Sequence, residues 1–101
     1  MDRILRRRDA LRSELASRDI ATLLVVDPSN VAYLTGFTGD SSYLLVGREA
    51  GRDLVLSDGR FTTQLELECP GLDAHIRPNV QSMTKAVAEV VEKLRLPSLG
   101  F

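Results

Sequence analysis

Side chains that could break or make bonds are scarce in this sequence. Its 101 residues contain one histidine, His75, and one cysteine, Cys69. Neither stands in an HxxxH or CxxC spacing, so a zinc or dinuclear centre, which needs several Asp, Glu, His or Cys donors at one point, has no visible ligand set. His75 alternates with Ile76 in a short strand-like run at a sheet edge and reads as a structural or surface residue. Cys69 shares an i, i+4, i+8 stripe with Phe61 and Leu65, where a small buried thiol is inert. Ser41 and Ser42 precede a strand and lack both a GxSxG turn and a second histidine, which leaves no serine-histidine pairing to argue for. Gly36-Phe37-Thr38-Gly39 is bounded by glycines, but a dinucleotide loop joins a strand to a helix N-terminus, whereas this segment follows a helix and precedes a strand. A GxxG nucleic-acid clamp would also want basic neighbours, and Asp40 adjoins this one. No catalytic residue and no metal ligand is expected in this chain.

Two stretches remain, residues 33–42 and residues 57–61, and their meaning depends on the elements that hold them. The composition, 44% hydrophobic and 27% charged, suits one soluble domain with a small core. Thirteen Lys and Arg against fourteen Asp and Glu give a formal charge of -1, so no global positive field exists to hold nucleic acid or an anionic membrane. A single cysteine permits no intrachain disulfide, and neither a membrane span nor an apolar signal core is legible, so the expected location is the cytoplasm.

Residues 2–18 place Ile4, Leu11 and Leu15 on one helical stripe. Arg3, Arg6 and Arg7 fall on the other side, and the Arg6-Arg7-Arg8 run, which carries no interleaved aromatics and is offset by Asp2, Asp9 and Glu14, reads as a solvated face. Residues 21–26 form a continuous apolar run expected as the central strand, buried on both faces. Asp27 as N-cap, Pro28 at the first helical position and Gly36 at the end define a short helix. Residues 42–46 and 54–57, joined by the polar segment 47–52, predict antiparallel neighbours. Residues 61–69 predict a helix stopped by Pro70-Gly71, and residues 73–77 a weak fourth strand. Residues 82–96 predict a helix with Met83, Val87, Val90 and Leu94 on one stripe, and Leu99-Gly100-Phe101 the start of another strand. The alternation predicts one α/β layer structure with a mixed sheet over residues 1–101.

Asn30-Val31-Ala32-Tyr33-Leu34-Thr35-Gly36-Phe37 and Leu54-Val55-Leu56-Ser57-Asp58-Gly59-Arg60-Phe61, with this element order, resemble the N-terminal domain of the creatinase, prolidase and Xaa-Pro aminopeptidase family over essentially the whole chain. The resemblance implies a three-layer, ribonuclease-H-like fold, a mixed sheet of about six strands flanked by helices. It implies a non-catalytic domain of a proline-specific metallopeptidase, an Xaa-Pro dipeptidase or aminopeptidase, that supports oligomer assembly and gates the active site. The hydrolytic machinery would lie in a C-terminal pita-bread domain of about 220 or more residues, holding two divalent metal ions, with manganese the expected metal. The implied partners are that domain, a second subunit in a homodimer and a proline-containing peptide.

In relatives the segment after the short helix leans over a neighbouring active site, which singles out Phe37 and Asp40: an aromatic could wall off a proline ring and a carboxylate could orient a substrate amine. The blander account makes Gly36 a helix C-cap, Gly39 the relief of a turn and Asp40 a solvated turn residue. For residues 58–61 it makes Asp58 a cap, Gly59 a turn former and Phe61 a helix anchor. Arg60 could pair with a carboxylate across a subunit interface or form a surface ion pair. Two other functions fit the same residues: the accessory domain of a creatinase-type amidinohydrolase, and a free-standing peptide- or protein-interaction module.

Overall fold

The computed structural model describes residues 3–39, 42–47, 53–69, 72–78 and 82–93. Helix α1 (Arg3–Ser17) leads into strand β1 (Thr22–Val25), helix α2 (Pro28–Thr35), strands β2 (Tyr43–Gly47) and β3 (Leu54–Asp58), and a single 3₁₀ turn (Gly59–Phe61). Helix α3 (Thr62–Glu68), strand β4 (Asp73–Arg77) and helix α4 (Met83–Lys93) follow. The four strands lie in the order β1-β2-β3-β4. The first two pairings are antiparallel, with Leu24 opposite Leu45 and Leu44 opposite Val55, and β3 runs parallel to β4. A parallel pair cannot be closed by a hairpin and needs a crossover; the chain between β3 and β4 supplies α3.

Alternation along the strands sends side chains into two cores. Val25, Leu44, Val46 and Val55 pack with Leu15 of α1, Val31 and Leu34 of α2, Phe37 and Leu65 of α3. Leu24, Leu45 and Leu56 pack on the other face with Ala86 and Val90 of α4. The result is the expected α/β three-layer arrangement, a mixed four-stranded sheet between helices.

Three expectations need correcting. Residues 21–26 do not form the central strand: β1 ends the sheet among the described residues, and β2 and β3 are its middle. The apolar run reported burial on both faces, which Thr22, Leu24 and Val25 have, but such burial can come from covering helices and does not fix a position in the sheet.

The arginine run is not simply a solvated face. Arg7 Nη1 donates to Tyr33 O at 2.9 Å and Arg8 Nη1 to Leu34 O at 2.9 Å, so both cap the last carbonyls of α2, where a cation complements the helix dipole. Arg7 also stacks over the Tyr33 ring at 4.2 Å.

Gly59 does not form a turn by conformational freedom, because its φ is not positive and a β-carbon there would meet nothing within 4 Å. Outside the described residues fall Asp40, Ser41, most of the 47–52 connection, Pro70-Gly71, the 94–96 end of the last helix and Leu99-Gly100-Phe101.

Candidate functional site

The segment leaving α2 is held at its root by local bonds that its sequence dictates. Asp27 accepts from Ser29 N at 3.0 Å and starts the helix, with Pro28 in its first turn. Gly36 ends it at φ +78°, donating to Ala32 O at 2.8 Å, a left-handed conformation that a side chain would strain. Thr35 Oγ1 donates to Val31 O at 2.7 Å and accepts from Phe37 N at 3.0 Å, so the first amide beyond the helix stays paired inside the protein.

Phe37 then turns inward. Its ring is 1% exposed and meets Phe61 edge to face at 5.6 Å, a favoured aromatic geometry. In this structure Phe37 is the anchor from which the segment departs, and its ring forms no part of the surface. Gly39 lies so close over that ring that a β-carbon would sit 2.3 Å from Phe37 Cζ. Its small size is therefore required for packing; the expectation that it relieves a turn missed this contact.

Phe61 belongs to the second stretch. Asp58 caps the 3₁₀ turn by accepting from Arg60 N at 3.0 Å, and the Arg60 side chain folds back with Nε at 2.9 Å from Oδ1 and Nη2 at 2.9 Å from Oδ2. Arg77 Nη2 from β4 approaches the same carboxylate at 3.4 Å. The Asp58 carboxyl is held well below its usual range, at about 2, because the Arg60 hydrogen bonds and the Arg60 and Arg77 charges outweigh its burial. Arg60 also lies over the Phe61 ring at 5.0 Å, with its side chain 61% exposed. The two stretches thus meet through the Phe37–Phe61 contact. The first stretch also meets the end of α3, where Glu68 accepts from Thr38 N at 2.9 Å and from Thr38 Oγ1 at 3.2 and 3.1 Å.

A cluster that sequence reasoning missed fixes α1 beneath this site. Asp53, buried just before β3, accepts from Arg8 Nε at 2.7 Å and from Arg12 Nη1 at 2.6 Å. Arg12 also donates through Nε and Nη2 to Asp9. Burial works against the Arg12 charge, but the bonds to Asp53 and Asp9 win, so its guanidinium pKa is raised. These partners lie 41 and 45 residues apart, and only the i, i+4 spacing of Arg8 and Arg12 hinted that they share a helix face.

Among the described residues no group of three His, Cys, Asp or Glu could hold a metal ion. His75 Nε2 is buried without a hydrogen-bond partner. The Cys69 thiol is pushed up by burial and by the Glu68 charge, which disfavours the thiolate. The resemblance puts the divalent ions in a C-terminal domain, and the donors among the described residues make no set that fits them. A groove of about 360 Å³ between α3 and β4, lined by Leu65, Cys69, Leu72, Ala74 and Ile76 among others, touches none of residues 36–39. No helix among the described residues is long and apolar enough to cross a membrane.

The chain is similar to several known proteins. It is 32% identical to the N-terminal domain of the cytoplasmic peptidase PepQ from Mycobacterium tuberculosis, covering 94% of this chain and 71% of that one, with a TM-score of 0.82. Against an Xaa-Pro aminopeptidase from Streptococcus pyogenes it is 30% identical, with 100% and 75% of the two chains covered and a TM-score of 0.79. The uncharacterized peptidase YqhT of Bacillus subtilis is 27% identical over 92% of this chain, which spans only 25% of that protein's length. Ectoine hydrolase of Halomonas elongata is 53% identical over 34 residues, 34% of this chain and 8% of the enzyme. Residues 7–101 match the creatinase/prolidase N-terminal domain, and with the fold and its two linked motifs in agreement, the chain belongs to that family.

Proposed function

We propose that this chain is the non-catalytic N-terminal domain of an Xaa-Pro metallopeptidase, a dipeptidase or aminopeptidase. The observation that carries this reading is its likeness, at 32% and 30% identity over nearly its whole length, to a peptidase's N-terminal domain and to an Xaa-Pro aminopeptidase. Two divalent metal ions, manganese the expected choice, would then be bound by a C-terminal domain, since the donors here do not suit them. The domain's contributions are assembly of a homodimer and gating of the active site in the cytoplasm. In this reading Phe37 roots the 37–42 segment, Asp40 meets the amine of a proline-containing peptide, and Arg60 pairs with a carboxylate across an interface.

The test is to assay the complete protein with Xaa-Pro dipeptides and with longer peptides carrying proline second, before and after metal removal, and to measure its mass in solution. Metal-dependent proline-specific hydrolysis by a dimer supports the proposal. The local match to ectoine hydrolase favours a second reading, an accessory domain of a hydrolase acting on small non-peptide amides or amidines. Turnover of ectoine or creatine with no peptide cleavage would select it.

A further inference from the structure

Strand β4 pairs with β3 along one edge, and among the described residues no strand pairs with the other. Such an edge presents backbone donors and acceptors that template a further strand, and proteins commonly defend it with charge. Here the charges are Asp73 at one end and Arg77 at the other. Asp73, Ala74 and Ile76 are exposed, and His75 and Arg77 are half-buried. Taken from its middle residue, Asp73-Ala74-His75-Ile76-Arg77 is its own complement. When two copies pair antiparallel about His75, Asp73 stands opposite the partner's Arg77, Ala74 opposite the partner's Ile76, and His75 opposite the partner's His75. Opposite charges directly across a strand pair attract and like charges repel. A parallel pairing in register sets Asp73 on Asp73 and Arg77 on Arg77, so the two charges select the antiparallel arrangement. Arg77 also holds Asp58 of β3 at 3.4 Å, which keeps its guanidinium beside the sheet.

The apolar side chains of the strand follow the same symmetry. Ala74 lies beside Val55 and Ile76 beside Ser57, on the face where Val55 packs with Leu65 of α3. There they line the groove of about 360 Å³ together with Leu65, Cys69 and Leu72. A two-fold axis through His75 brings the grooves of two copies side by side, and each Ile76, 38% exposed, leaves water against the other copy's Ala74. We propose that β4 is the strand through which two copies of this chain join, edge to edge and antiparallel about His75, to make one continuous sheet across a two-fold axis. The inference rests on the homodimer reading above and names the surface that the dimer uses.

Crosslinking tests the register, in the complete protein and in the 101-residue chain. With Cys69→Ser removing the native thiol, His75→Cys should give a disulfide-linked dimer on mild oxidation, because directly opposite Cα atoms lie about 4.5–5.5 Å apart, within disulfide reach. Asp73→Cys in the same background should give none, since its two copies are offset by about 13 Å along the strands. Asp73→Arg sets positive charge on positive charge at both ends of the pairing, and Ile76→Lys puts two charges into the apolar seam. Each should raise the dimer dissociation constant about tenfold or more in sedimentation, with circular dichroism unchanged because both side chains are exposed. A complete protein that is monomeric defeats the homodimer reading and this inference together. A dimer that yields no His75→Cys crosslink and survives both substitutions leaves the homodimer reading standing and refutes the β4 edge. Crosslinking confined to the 101-residue chain assigns the edge to a further segment of the complete protein and overturns the inference as well.

Discussion

Phe37 joins the two motif stretches, because its ring packs in the core against Phe61 and its backbone leads to the exposed Thr38. Phe37→Ala should lower stability by about 3–5 kcal/mol in chemical denaturation, the usual cost of emptying a ring-sized space in a closed core. The two motif glycines should separate sharply. Gly39→Ala must displace either the Phe37 ring or the segment, since its β-carbon would overlap the ring, and should cost about 1–3 kcal/mol. Gly59→Ala meets open space and should change stability by no more than about 0.5 kcal/mol. Melting the two variants side by side checks both. Asp53→Ala would leave Arg8 and Arg12 without their shared buried carboxylate, Arg12 keeping only Asp9, and should cost about 3 kcal/mol, although nothing in its sequence surroundings marks Asp53 for a role. An acidic residue beside a polar connection looks like a loop residue until the helix that supplies its two arginines is folded over it.

At the scale of elements, α2 was the most legible piece, because Asp27, Pro28 and Gly36 each act within a few residues of their own position. Gly36→Ala tests the cap: at φ +78° the added β-carbon should cost about 1 kcal/mol, read as a lower denaturation midpoint with the sheet unchanged by circular dichroism. Existence and order of the strands were legible for the same local reasons. The position of β1 was not, since it depends on which strands pair and which helices cover them. The candidate site divides likewise. The meeting of residues 37 and 61 follows from α2, β3 and α3 surrounding one core, which no spacing in the sequence encodes, and the Thr38–Glu68 bonds need a helix end to arrive beside a loop 30 residues distant. The inward turn of Phe37 was missed because aromatic character alone does not say whether a loop residue faces substrate or core.

For the whole molecule, the acid response follows from the carboxylates. Asp58 has a folded pKa of about 2 against the ordinary 3.8, so the native state binds fewer protons than the unfolded chain between those values. The stability it contributes is fully present above pH 3.8 and is lost as the pH falls through about 2. Glu68, also lowered, acts in the same direction. Denaturation midpoints should therefore decline from about pH 4.5 down to pH 2, and Asp58→Asn should flatten that decline.

Under the proposed function, this domain carries scaffold and segment while bond breaking belongs to a further domain of the protein. That division is tested most directly by offering the purified, folded 101-residue chain an Xaa-Pro dipeptide in the presence of manganese and measuring released proline, with the complete protein assayed in parallel. The account predicts release by the complete protein and none by the chain. Sustained metal-dependent release by the chain alone, persisting through protease-free purification, would contradict it.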